Sequence, residues 1–561
     1  MKPFGSNVRS VLAQADFPNV ASRAVDEGQT LPQMLIASCE RHARRPAFTS
    51  LDRTLSFGDI DRLSADLAAY LRNGLGLTAG ERVAIMLPNV LQYPVALLAV
   101  QRADLILVPV NPLYTVRELR HQLADSGASA LIVLDNFGAV VAEALPDTTL
   151  KHVITTRVGD MLRWPKSLVV DLTLKHVKKV IPPFHLPRAV RWPTAMAKGR
   201  SLPRVRSEAK ADDTVQLQYT GGTTGVSKGA ILSHRALIAN VASAEQCFGY
   251  ALDPAVDKAI ICLPIYHIAA YSNVLYCVTH GFHSVLIGNA RDTPALVATF
   301  DKVKPSLFGG VNTLYDALLN SPEFARLDFS RLKLCVQGGT ALRRATAERW
   351  KAVTGRDVAE GYGLSETSSA ITYNRWDAPN PLGSIGLPLA EVEISLRDEH
   401  GNPVPAGEAG ELCARGPHVT SGYWQQPEES RRAFFEGGWF RTGDIARCDE
   451  QGYYYILDRR KDMILVSGFN VFPNEIEDVV AMHPGVLEAA AVGMPDEKCG
   501  EAVRLVVVRK DPALGESDLR AHCRKLLTGY KQPKVIEFRD ALPKSPVGKI
   551  LRRELRDTPA K

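Results

Sequence analysis

The spacing of apolar residues changes period repeatedly along the first 150 positions. TLPQMLIASCERHARRP (30–46) places them at helical spacing and predicts an amphipathic helix. RVAIMLPN and LILVPVN are short apolar runs ending in Pro or Asn, and ALIVLD is another. Such alternation of helix and strand patterns predicts α/β layers. TVQLQY (214–219) predicts a strand, and KGAIL after Ser227 a second one. Ser233 then suits an N-cap before the helical stretch HRALIANVASAEQ.

Beyond residue 460 the pattern shortens. MILV, VLEAAAV, AVRLVVV and KVIEF predict strands, with PNEIEDVVAMH and ESDLRAHCRKLL as helices between them. Pro473 fits a first helical turn, and Ile476, Val479 and Val480 fall on one face. The chain has 561 residues, enough for about three or four domain-sized units. The change of pattern marks one boundary near DRRKD (458–462), dividing 1–460 from 461–561.

Residues 161–200 break the rhythm differently. Nine Lys and Arg stand there against one acid, Asp171, with Trp164, Phe184 and Trp192 interleaved. KSLVVDLTLKHVKKVI predicts a helix with one basic face. It reads either as a patch that attracts anionic lipid or as a solvated connector broken by Pro182, Pro183 and Pro187.

Composition alters this picture little. With 45% hydrophobic and 23% charged residues the chain is ordinary globular material. A formal net charge of +6 suits an anionic ligand or acidic lipid and does not by itself indicate nucleic acid, so no nucleic-acid partner is expected. Nine scattered cysteines without C-x-x-C spacing point to reduced intracellular thiols. No apolar run approaches a membrane span, and no signal peptide is expected. The expected location is the cytoplasm, or the inner face of the cell membrane if segment 161–200 binds lipid. The oligomeric state, a homodimer included, is left open.

YTGGTTGVSKG (219–229) carries the candidate chemistry. It contains G-x-S-x-G around Ser227, but a strand rather than a helix follows, which disfavours a nucleophile elbow. Two residues separate Gly225 from Lys228, and Gly229 follows the lysine, so a Walker loop is excluded. What remains is a phosphate clamp between two strands. Gly221, Gly222 and Gly225 let backbone N–H groups approach oxyanions, Thr220, Thr223 and Thr224 add hydroxyls, and Lys228 adds a point charge.

That stretch resembles the phosphate loop of the adenylate-forming enzymes: acyl-CoA synthetases, luciferases and nonribosomal adenylation domains. LPIYHIAA, QGG, EGYGLSET, WFRTGD, DRRKD, SGFNVFPNEIE and PKSPVGKI follow in the family's order. GGWFRTGDIARCDEQGYYYILDRRKD and TGYKQPK are most similar to bacterial long-chain fatty acid–CoA ligases. Gly221 departs from the commoner pattern, which has serine there. The resemblance implies an α/β fold: a large N-terminal domain of layered sheets and helices with a small β-barrel part, and a small mobile C-terminal α+β domain.

It also implies a two-step reaction using ATP, Mg²⁺ and coenzyme A, in which a fatty acid becomes acyl-AMP and then acyl-CoA. Catalytic roles fall to Lys549, His267 and Glu366, with Thr220 and Glu366 on the metal and Ser365 on the α-phosphate. Gly338, Gly339, Gly361 and Tyr362 would line the adenine slot, and Glu360, Gly363 and Leu364 would also bind the nucleotide. Asp444 would take the ribose hydroxyls, and Arg459 would approach ribose or phosphate. His267 and Tyr271, an aromatic gate, would meet the acid. Gly468 would meet the pantetheine arm, and Lys461 would be the hinge. The charge-free run Ile268–Thr279 is equally compatible with an acyl-pocket wall and a core helix. Competing readings are a fatty acyl-AMP ligase serving a carrier protein, a ligase for medium-chain or aryl acids, and a non-catalytic nucleotide-binding relative.

Overall fold

In the computed structural model, which describes residues 28–220, 227–467, 469–496, 498–544 and 550–556, the apolar runs near the N-terminus become neighbours in one sheet. Its seven strands run in the order Val190–Arg191, His152–Thr156, Ala128–Leu134, Arg82–Met86, Ile106–Pro109, Thr214–Thr220, Lys228–Ser233. All pairs are parallel except the last, an antiparallel hairpin. Ala128–Leu134 is buried at every position, as a central parallel strand covered on both faces must be. TLPQMLIASCERHARRP forms the helix Leu31–Arg41 with Leu31, Leu35 and Cys39 facing the core.

A nine-stranded sheet lies beside it. Its central strands Lys258–Ile261, Leu307–Gly310, Leu334–Gln337 and Val358–Leu364 are parallel, and Val358–Leu364 pairs antiparallel with Ser369–Tyr373. Long hydrophobic clusters fill the layers between these sheets and their helices.

A five-stranded antiparallel sheet follows, with Trp439–Cys448 paired to Gly410–Arg415 on one edge and to Tyr454–Arg459 on the other. Among the described residues its pairings run in an open order. Its strand Tyr454–Arg459 is tied in turn to the segment just before Leu387–Pro388, where Ile385 N–H donates to Tyr454 O (2.9 Å) and Tyr454 N–H to Gly386 O (3.1 Å).

From Ile464 onward the chain builds its own sheet. Phe469–Val471, Ile464–Val466, Gly500–Arg509 and Val486–Asp496 lie side by side, and Val535–Arg539 pairs with Gly500–Arg509. The helices Pro473–Ala481 and Glu516–Leu526 close a separate core around Ile476, Val480, Leu505 and Leu519. The whole is a large mixed α/β N-terminal domain with a smaller C-terminal one.

Candidate active site

The hairpin Thr214–Thr220 and Lys228–Ser233 pairs Thr220 directly with Lys228. Directly opposed residues on an antiparallel pair share a face, so hydroxyl and ammonium lie on one side. The connecting residues Gly221, Gly222, Thr223, Thr224 and Gly225 lie outside the described residues. The Lys228 ammonium is paired with the Glu429 carboxylate and sits 5.6 Å from the ring centroid of Tyr423. Tyr423 reaches it because its segment is stitched to the hairpin. Ile231 N–H donates to Gly422 O (3.0 Å), and Trp424 N–H donates to Gly229 O (2.8 Å).

The same tyrosine donates its hydroxyl to Glu366 Oε1 at 2.9 Å. Glu366 stands in the short turn Ser365–Thr367, which packs on both hairpin strands. Thr420 ties that turn down: its N–H donates to Glu366 O (2.7 Å) and its Oγ1 to Ile231 O (2.7 Å). Ser368 and Ser369 leave the turn with φ of 55° and 106°. Two successive non-glycine residues at positive φ store strain where Glu366 is aimed.

Gly338 continues the strand Leu334–Gln337 beside Gly361, whose carbonyl oxygen would stand 3.3 Å from a Cβ on Gly338. Gly339 has φ +83° and needs glycine for that reason. Gly363 needs it for another: a Cβ there would lie 1.8 Å from Ser369 O. The edge from Glu360 to Leu364 is thus flat backbone. Glu360 itself is buried and accepts the Leu342 N–H at 2.6 Å. Burial pushes its carboxyl up to about 8, with the charge of Asp478 adding to the effect.

Tyr362 projects from this edge and donates its hydroxyl to Asp444 Oδ2 at 2.6 Å. Burial first, then the Asp444 charge, drive the phenol far above its ordinary value, so it stays a donor. Asp444 is 3% exposed and is met on its other oxygen by Arg459 Nε at 3.2 Å. The pairing of Trp439–Cys448 with Tyr454–Arg459 sets Asp444 directly opposite Arg459. The Tyr362 hydroxyl thus fixes the carboxylate.

His267 immediately precedes the helix Ile268–His280, with its ring centroid 4.9 Å from that of Tyr266. Gln218 Nε2, on the hairpin strand, donates to Tyr266 O at 3.1 Å and so seats His267 beside the hairpin. Burial lowers its imidazole to about 4, which keeps it neutral at ordinary pH. Tyr271 is not brought to this cluster. It is fully buried in the core, where its oxygen accepts from Gln101 Nε2 at 2.6 Å. Ser272, Asn273 and Tyr276 of the same helix line a cavity of about 30 Å³ with Phe248, Leu334 and Tyr373. The helix therefore packs Tyr271 in the core and borders this cavity with Ser272, Asn273 and Tyr276.

Lys461 follows Tyr454–Arg459 in a turn, and burial lowers its amine. Charged groups from the C-terminal domain crowd this turn. Asn474 N–H donates to Asp458 Oδ2 (2.8 Å), and Arg556 reaches Asp462 (2.6 Å). Arg552 bonds Glu477 (2.7 Å) and Asn474, and lies 3.7 Å from Asp458 and 3.6 Å from Asp462. Burial raises the Asp458 carboxyl to about 6. Lys549 and Gly468 lie outside the described residues.

Two clusters thus form from the expected residues: Thr220, Lys228 and Glu366 on one side, and Tyr362, Asp444 and Arg459 on the other. Tyr423 and Glu429 join the first and were not expected. Their only sequence signal is an aromatic residue shortly before Pro427 and two acids, a helix start.

A strand hairpin, glycine-edged slot and buried acid of this kind match a known class. The family model described as AMP-binding enzyme covers residues 35–424, and that of its C-terminal domain covers residues 475–549. The chain belongs to the AMP-binding enzyme family. It is similar to the long-chain-fatty-acid–CoA ligase of Escherichia coli, with 49% identity over 533 residues, 95% of each chain. That of Haemophilus influenzae is 44% identical over 551 residues, 97% of each chain. An anthranilate CoA ligase solved with anthranoyl-AMP superposes with TM-score 0.82 at 26% identity, covering 95% of this chain and 97% of that one. A benzoate CoA ligase from Burkholderia xenovorans gives 0.80, also at 26% identity, covering 94% and 100%.

Proposed function

We propose that this chain is an AMP-forming long-chain fatty acid–CoA ligase. The observation that carries it is the pair of clusters above, within a chain 44–49% identical to ligases of that name. A fatty carboxylate attacks the α-phosphorus of ATP and expels pyrophosphate. The thiol of coenzyme A, losing its proton, then attacks the acyl carbon and expels AMP.

Each cluster has its part. Asp444, held from both sides, accepts the ribose hydroxyls, and Arg459 stands by to meet ribose or phosphate. The flat edge from Glu360 to Leu364, with Gly338 and Gly339, borders the adenine, and Ser365 meets the α-phosphate. Lys228 and Thr220 hold the outer phosphates. His267, kept neutral by burial, offers a hydrogen bond to the acid without a fixed charge. Lys549 brings the cation that adenylation requires, and Gly468 borders the pantetheine arm.

A divalent ion fits this setting. Among the described residues no group of three acid, His or Cys side chains could cage a metal. A single carboxylate, Glu366, beside the Thr220 hydroxyl suits Mg²⁺, which takes its remaining oxygens from phosphate and water. When bound, it neutralises phosphate charge. Tyr423 orients the carboxylate that would hold it.

Residues 461–561 act as a mobile unit that pivots at Lys461 and alternates between the two half-reactions. The separate core around Ile476 and Leu505 supports this division. A second proposal concerns the basic segment. Lys166–Leu172 and the turn Thr173–Val177 bury no residue. Trp164 is 81% exposed, Val177 73% and Val169 58%, with Lys175, Lys178 and Lys179 alongside. Exposed apolar residues ringed by cations favour adsorption to anionic lipid. Deleting 163–181 should reduce sedimentation with anionic vesicles; unchanged sedimentation would remove the idea.

The deciding experiment is AMP release with and without coenzyme A, for acids from butyrate to stearate and for benzoate. Release that needs coenzyme A and peaks with long chains is expected. Acyl-AMP accumulating regardless of coenzyme A would favour an acyl-AMP ligase, and a peak at benzoate an aryl acid ligase.

A further inference from the structure

The reading above gives Lys228 to phosphate, yet in the structure Lys228 is held by Glu429. The lysine side chain is 14% exposed and the glutamate 29%, so the pair is partly removed from water. Both groups are built in rather than swinging free. Glu429 sits in the first turn of the helix Pro427–Arg432. Ser430 Oγ, on the same helix, accepts the Tyr423 N–H (2.8 Å) and donates to Gln426 O (2.8 Å). The segment that carries Tyr423 against Lys228 therefore also carries Glu429 to it. The ammonium is enclosed by a carboxylate and an aromatic face, and the same aromatic residue holds Glu366.

Glu429 also has a second place to go. Arg432, one turn later on its own helix, stands 3.5 Å from its other oxygen and is largely exposed. A carboxylate displaced from Lys228 would keep a cationic partner, so its release costs little. A phosphate oxygen carries more charge than a carboxylate oxygen and bonds an ammonium strongly.

We propose that Glu429 and the phosphates of ATP compete for Lys228, and that Glu429 transfers to Arg432 when phosphate arrives. Glu429 is thus a positioning residue that sets nucleotide affinity and favours departure of pyrophosphate. The inference rests on the reading of Lys228 as a phosphate ligand.

Calorimetric titration of the full-length protein with Mg-ATP, and separately with magnesium pyrophosphate, tests it without fatty acid present. Glu429→Gln should tighten both ligands about tenfold, and Glu429→Ala should shift them in the same direction. Arg432→Ala should weaken both about threefold, because the displaced carboxylate loses its alternative partner. Weaker or unchanged binding in both Glu429 variants overturns the competition, while a loss in Lys228→Ala leaves the phosphate reading standing. Unaltered binding in Lys228→Ala overturns that reading and this inference with it.

Discussion

The two halves of the candidate site hold their key charges in opposite ways. Asp444 lies on a long strand, is almost fully buried, and is met by Arg459 from the neighbouring strand and by Tyr362 from the nine-stranded sheet. Neither partner needs to leave for a ribose to bind, since a carboxylate accepts several donors. Lys228 lies at the end of a hairpin and is occupied by an acid, Glu429. On the proposed function, one half would be preorganised to receive a neutral sugar and the other would exchange one anion for another. Base and ribose would then be read by a fixed surface, and the phosphates, which change during the reaction, by a surface that changes too.

The strongest way to break this comparison is on the fixed side. Asp444→Ala should weaken ATP binding about a hundredfold while leaving inorganic pyrophosphate binding unchanged, because only ATP has the ribose. Calorimetry with the two ligands checks it, and a parallel loss for both would remove Asp444 from the ribose. On the exchanging side, Tyr423→Phe deletes the hydroxyl that orients Glu366. The Mg²⁺ concentration for half-maximal adenylation should rise about tenfold, with the maximal rate nearly kept once Mg²⁺ saturates. A lower maximal rate at unchanged Mg²⁺ dependence would assign Tyr423 elsewhere.

The smallest effect sharpens the fixed half. Glu360 titrates near 8 in the fold, above its ordinary 4.5. A raised carboxyl contributes its full share of stability below the unfolded value, and that share is lost as pH climbs through 8. Glu360→Gln has no proton to lose. Between pH 6 and pH 9 the wild-type melting temperature should fall about 2 °C further than that of the variant. Equal slopes in scanning calorimetry would show that Glu360 does not govern this range.

How much of this was legible in the sequence follows the same division. Asp444 and Arg459 lie in WFRTGD and DRRKD, two short motifs on consecutive strands, and the antiparallel turn between them makes them face each other. Local pattern sufficed. The Tyr362 hydroxyl bond to Asp444 joins residues 82 apart, and Lys228 and Glu429 are 201 apart. No periodicity encodes contacts at that separation; they come from how sheets pack. The helix Ile268–His280 shows a third limit. Its residues are apolar nearly all round, so the sequence could not say that Tyr271 points into the core while Ser272 and Tyr276 border the cavity.

The crowd of charges around the turn at Lys461 has a kinetic meaning. Asp458 precedes the turn, while Asn474 and Arg552 follow it. On the proposed pivot at Lys461, a swing of the C-terminal domain would first have to part these contacts and remake others afterwards, so the domain would dwell and jump. The interval between jumps would set a clock for the proposed passage from acyl-AMP to thioester, and it should quicken in Asp458→Asn when single-turnover thioester formation is followed across temperature.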